Sequence, residues 1–253
     1  MGSSGEEGSL GIIMRVTALK VKVFIFGRYG TLLIALLLLM LLQPTLDTTL
    51  GKYLLEAMFI VTLLAGLRAV GVKKGLFSFE VVLLVISLIF NIAGNFPGYE
   101  NLFAIGVAGR VLFMTLVALA ILFDLFRNQK VTGDSLAGAV CIYLLIGLIW
   151  GHLFLMIEFL VPGSFSFTQG DQALALWLAK DFYPFYYFSL ITMTTVGYGD
   201  MLPLTTAART LSTLEAIIGQ VYLTILVARL VGMYLVHQQV DNTNSGEEAE
   251  QKD

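Results

Sequence analysis

The residues of this chain best placed to do chemistry are Thr194-Thr195-Val196-Gly197-Tyr198-Gly199-Asp200. Gly197 and Gly199 alternate with larger residues, and glycine takes positive φ without steric cost. A run that alternates in this way can turn successive backbone carbonyls toward one axis. With the Thr195 hydroxyl at its inner end, it offers a ladder of neutral oxygens suited to a cation stripped of its water. Tyr198 is suited to pointing away and packing behind the ladder, holding its diameter. Irregular backbone survives at membrane depth only where it is buried in protein or lines a wet cavity. The surrounding elements must therefore supply both. One chain gives one wall, so a closed ring of oxygens implies four copies with cyclic symmetry.

Composition puts this loop in a membrane. The 253 residues are 57% hydrophobic and 13% charged, against about 25% charged in a typical soluble domain. The net charge of -3 offers no basic surface for nucleic acid, so nucleic acid is not an expected partner. Cys141 is the only cysteine, which excludes an intrachain disulfide. The sequence has no His/Cys/carboxylate spacing for a metal cluster and no nucleophile–base pattern. Neither an enzyme nor a cofactor is expected.

Apolar runs cover Tyr29 to Leu42, Tyr53 to about Val70, Leu76 to Ala93, Leu102 to Phe126, Leu136 to Val161 and Thr205 to Val236. A span needs about 20 residues, so the first run is short unless its helix begins near Val23. Before the loop, Asp181 to Met193 reads as a short helix that cannot span, with Pro184 in its first turn and Asp181 as its cap. Its negative dipole end would aim at a central cavity. Tyr183, Phe185, Tyr186, Tyr187 and Phe188 form either a stiff cuff around the loop or an interfacial aromatic belt. The expected fold is an all-α membrane protein: six transmembrane helices, a re-entrant helix and its loop, assembled as a C4 tetramer. Residues 1–28 form a cytoplasmic or interfacial segment, 29–130 a four-helix domain and 131–236 the pore domain. The acidic tail, 237–253, is expected to be disordered.

Basic residues orient the chain. Arg15, Lys20, Lys22 and Arg28 precede the first run, Arg68, Lys73 and Lys74 follow the second, and Arg127 and Lys130 follow the fourth. The opposite connections hold only Lys52, Lys180 and Arg209. By the positive-inside rule both termini are cytoplasmic and the loop enters from outside. The first four cations also suit contact with anionic lipid.

Thr194 to Asp200, the aromatic helix before it and the apolar helix after it resemble the tetrameric potassium channels, especially bacterial ones with a two-helix pore module. The resemblance is specific over about Phe182 to Gly232 and weak before Leu136. It implies a potassium-selective filter, with ion sites made by the carbonyls of Thr195, Val196, Gly197 and Tyr198 and by the Thr195 hydroxyl, and Gly199 completing the motif. It implies three identical partner subunits, potassium as the permeant ligand, and a location in the bacterial inner membrane. Thr194, Asp181 and Asp200 would support the filter and its outer mouth. In several relatives that aspartate pairs with a carboxylate behind the filter; here the corresponding residue is Ile191, so other contacts must hold it or the filter inactivates. Gly219 stands where the family often has a hinge glycine, although close packing explains it equally well. Gln220, Leu223 and Val227 share its face within a turn and are candidate cavity or gate residues. Arg229 reads as an anchor at the cytoplasmic end of this helix.

Four helices before a pore module suggest a voltage-sensor-like domain, but the fourth carries only Arg110 and no cationic ladder. One charge crossing 100 mV is worth about 2.3 kcal/mol, so Arg110 in four subunits supplies at most about 9 kcal/mol. Strong voltage gating is not expected; control by weak voltage dependence, pH, lipid or a small ligand through these helices is the alternative. Glu56 and Glu80 are candidate partners of Arg110 or Arg68, or else interfacial groups. His152 and Glu158 are candidate pH-sensitive groups, a buried His bonded to the short helix being the blander reading. Glu215 either supports the filter from behind or pairs with Arg209. Asp171, Asp181 and Asp200 would concentrate cations outside. A transporter with an incidental T-V-G-Y-G is a distant alternative, without a repeated pair of broken helices to support it.

Overall fold

A computed structural model describes residues 27–42, 51, 57, 60–62, 64, 66, 74–94, 96, 98–127, 132–167 and 182–250, with the backbone alone from 230 onward apart from Gly232. The expectations for Arg15, Lys20, Lys22, Lys52, Glu56, Arg68, Lys73, Lys130, Asp171, Lys180 and Asp181 lie outside the described residues.

The elements follow the hydropathy runs closely. They are α1 (Arg28–Leu42), α2 (Lys74–Ala93), α3 (Glu100–Arg127), α4 (Gly133–Leu160), β1 (Phe165–Phe167), α5 (Tyr183–Met193), β2 (Met201–Pro203) and α6 (Thr206–Glu250). Helical backbone also occurs at Gly51, Ala57, 60–62, Leu64 and Gly66. Three described helices are long and apolar enough to cross a membrane: Asn101–Arg127, Gly133–Leu160 and Thr206–Arg229. Arg28–Leu42 and Phe77–Ala93 are shorter apolar helices. At about 1.5 Å per residue α1 falls short of a ~30 Å hydrocarbon core. The protein is thus a largely helical membrane protein.

Helix ends follow local chemistry. Thr132 caps α4, its hydroxyl accepting from the Ser135 N–H at 3.2 Å. Asp134, in the first turn of α4, accepts from the Tyr29 and Gly30 N–H groups at 2.8 and 3.1 Å, so one carboxylate satisfies two of the orphan donors of α1. The Tyr29 hydroxyl donates to Asp124 at 2.6 Å, drawing the end of α3 into the same corner. α6 continues to Glu250, beyond the Val236 limit and through the tail expected to be disordered. A formed helix propagates without a new nucleation cost, and no proline interrupts it.

Packing centres on α4, which touches α1, α3, α5 and α6. One core gathers Tyr29, Leu32 and Leu36 of α1 with Phe113, Val117 and Ile121 of α3 and Ile142 and Leu145 of α4. A second core, at the other end of α4, joins Phe103 and Val107 to Trp150, Phe154, Phe165, Phe185, Phe188 and Met201. In it Phe165 meets Phe154, Phe185 and Phe188 edge-on, with centroids 5.4–5.6 Å apart, the arrangement ring quadrupoles favour. β1 and β2, which the hydropathy pattern did not reveal, pair antiparallel with Ser166 opposite Leu202.

Candidate functional site

Between α5 and β2 the loop departs from regular structure in a definite way. Thr195, Gly197 and Gly199 have φ of 60°, 54° and 79°, while Val196 and Tyr198 keep negative φ. Glycines were expected at two of these positions; the third falls on Thr195, a β-branched residue for which positive φ is a genuine outlier. The N–H groups turn back on α5. Thr195 donates to the Thr192 carbonyl at 3.1 Å, and Val196 and Gly197 both donate to the Ile191 carbonyl, at 2.9 and 3.2 Å. Among the described residues nothing donates to the carbonyls of Thr195 through Gly199. The loop therefore spends its donors on the helix end and keeps its acceptors unclaimed. The whole stretch from Thr194 to Asp200 is exposed, Tyr198 at 72%.

α5 is held from every side. Phe182 occupies its N-cap position with no side-chain cap, and Pro184 sits in its first turn. Phe185 and Phe188 pack into the second core, and Tyr186 into the first. These rings bind α5 to the rest of the chain, while Tyr183 is exposed. A Cβ on Gly151 would lie 2.9 Å from the Tyr186 Cα, so α4 approaches α5 as closely as it does because position 151 lacks one. Thr194 donates its hydroxyl to the Leu190 carbonyl at 2.6 Å, closing the helix end.

Asp200 has a partner that sequence did not suggest: the Tyr187 hydroxyl donates to its Oδ2 at 2.8 Å. Desolvation, then this bond, push the Tyr187 hydroxyl up to about 12, so it remains a donor at physiological pH. Ile191 contributes its backbone carbonyl instead of a side chain. Directly after Asp200, β2 pairs with β1, and β1 is anchored by Glu158, whose oxygens accept from the Gly163 and Phe165 N–H groups at 2.8 and 2.9 Å. Glu158 thus fixes a turn at the end of α4.

On α6 the buried positions Ala208, Ser212, Glu215 and Gly219 form a helical stripe. Gly219 packs against α5: a Cβ there would meet Met193 atoms at 3.3–3.4 Å. Gln220 donates its amide to the Met193 carbonyl at 3.0 Å, Leu223 is half-buried and Val227 is exposed. Glu215 is bonded to Ser189 of α5, whereas Arg209 donates to the Pro203 carbonyl at 3.1 Å. The choice left open for Glu215 resolves toward α5. Arg229 donates to the Leu125 carbonyl and lies 4.7 Å over the Phe126 ring, tying α6 to the end of α3.

Arg110 meets His152, NH1 to Nε2 at 3.4 Å, while the His152 Nδ1 lies 2.8 Å from the Leu148 carbonyl of its own helix. The His152 and Phe182 ring centroids lie 3.9 Å apart with the planes tilted by 33°, so His152 touches the start of α5 by ring contact and not by a hydrogen bond. Glu80 does not reach Arg110. The α2–α3 contact sets Ser87 against Gly106 and Gly109, leaving Glu80 about two turns away along α2. Nor is Glu80 an interfacial, solvated group: it is fully buried, and neither oxygen has a partner among the described residues.

Residues 138–235, which take in most of α4, all of α5 and the loop, and most of the apolar length of α6, match a family model described as Ion channel. The match supports an ion channel. No curated protein and no solved structure matches the chain.

Proposed function

We propose that the chain is one subunit of a homotetrameric potassium channel that conducts passively, with Thr195 to Gly199 as its selectivity filter. The observation that carries this reading is the alternation of φ sign through the loop, combined with N–H groups turned back onto α5 and carbonyls left unclaimed. Such a loop presents oxygens on one side as a substitute hydration shell. Four copies are argued from exposure. Irregular backbone in a membrane protein needs cover, and Leu214, Ile217, Ile218, Val221 and Ile225 leave most of the outer half of α6 without packing in one chain.

In this reading α5 is the pore helix, α4 the outer helix and α6 the inner helix, with Asp200 at the outer mouth. Gln220 is tied to the pore-helix end, and Leu223 and Val227 are left as the candidate narrowing. The reading takes the six spans expected from the sequence, with both termini in the cytoplasm of a bacterial cell and Arg15, Lys20, Lys22 and Arg28 against anionic lipid. With Arg110 in place of a cationic ladder, strong voltage gating is not the trigger. Control through the first helices has its own support: Arg110 touches His152, whose ring packs at a tilt against Phe182 at the start of the pore helix. Purified protein in liposomes tests the function. Potassium gradients are expected to drive barium-sensitive flux that sodium gradients do not, and equal sodium and potassium fluxes would refute selectivity.

A further inference from the structure

Glu215 is fully buried where α6 packs on α5. Its Oε1 is hydrogen-bonded to the Ser189 Oγ, and the same Oγ lies 2.8 Å from the Gly147 carbonyl oxygen of α4. A serine hydroxyl has one proton to donate. The Gly147 carbonyl has none, so the Ser189 proton is directed there and the bond to Glu215 takes its proton from the carboxyl. With an ionised carboxylate, two acceptors would compete for one proton in a dry site, the loser held at contact distance. The other oxygen, Oε2, is buried with no partner among the described residues. That is costly for a charged carboxylate and far less so for a neutral acid.

The surroundings fit a neutral group. From α4 the nearest titratable group is Tyr143, whose buried hydroxyl has no partner among the described residues. α5 contributes Ser189 and no charge, and on α6 itself Arg209 is engaged with Pro203. One turn further along α6, Gly219 and Gln220 contact Met193, the last residue of α5. The carboxyl therefore sits in the interface that fixes the base from which the loop rises.

We propose that Glu215 is a proton-binding site and a positioning residue: as a neutral acid it donates to Ser189 and tethers α6 to α5. Its effect on conduction rests on the channel reading above; the presence of its proton does not. The sign follows from the protonated form being the one that fits. The tether is complete at low pH and is lost as pH rises through the value at which the carboxyl ionises, because ionisation leaves an unpaired charge in the interface.

Infrared difference spectroscopy on the full-length protein in detergent at neutral pH reads the proton directly. Wild type minus E215Q is expected to show a carboxylic-acid C=O stretching band, which moves in S189A. Absence of that band would overturn the proposal whatever the protein conducts. In liposomes, wild-type potassium flux is expected to fall on alkalinisation, while E215Q, whose amide donates at either pH, stays flat. A fall of equal size in E215Q would overturn the tethering role.

Discussion

Thr195 is the one described non-glycine residue with positive φ. Holding a β-branched residue there costs on the order of 1–3 kcal/mol, which the return bonds to Thr192 and Ile191 help to offset. The two glycines announce the loop from sequence alone, because their permissiveness is a property of the residue. The Thr195 conformation is not legible, because it is imposed by bonds to residues three and more positions away. The same holds for Tyr187 and Asp200, thirteen residues apart, whose meeting depends on how the loop folds back along α5. A bond from a neutral hydroxyl to a carboxylate contributes about 1–3 kcal/mol when sheltered and less when wet. Tyr187→Phe and Asp200→Asn are each expected to speed the decay of current during sustained conduction. The double variant should decay no faster than the more severe single one, since Tyr187→Phe removes the bond and Asp200→Asn weakens the same one. Strictly additive effects in macroscopic recordings would mean that the two residues act separately.

Among the elements, α3, α4 and α6 are legible because long apolar runs mark them in the sequence. The strands are not: three residues each carry too little pattern, and Phe165-Ser166-Phe167 becomes a strand by pairing with Met201–Pro203. Two glycines that look alike in sequence part company here. At Gly151 an added methyl meets the Tyr186 backbone at 2.9 Å, whereas at Gly219 it meets the flexible Met193 side chain at 3.3 Å, with the nearest backbone atom at 3.4 Å. Gly151→Ala is expected to destabilise by about 1–3 kcal/mol through overpacking. Gly219→Ala is expected to be near neutral, because about 1 kcal/mol of helix propensity offsets a small displacement. Thermal unfolding in detergent checks the order, and conduction should survive Gly219→Ala. Loss of opening in that variant with unchanged stability would favour a hinge over close packing.

At the scale of the whole molecule, α3 meets α4 and α6 at two heights: Arg110 against His152, and Leu125 and Phe126 against Arg229. On the proposed channel reading these contacts would join a sensor-like helix to the pore, with too little charge for strong voltage sensing. Four Arg110 residues crossing 100 mV supply at most about 9 kcal/mol, so a measured gating charge is expected to stay at or below about four elementary charges per tetramer. A substantially larger value would locate mobile charge elsewhere. The central claim is that the loop from Thr195 to Gly199 selects potassium, and a bi-ionic reversal potential tests it most directly. With the purified protein in a planar bilayer, potassium on one side and sodium on the other, the current is predicted to reverse far toward the potassium equilibrium potential. Reversal at zero would contradict the account.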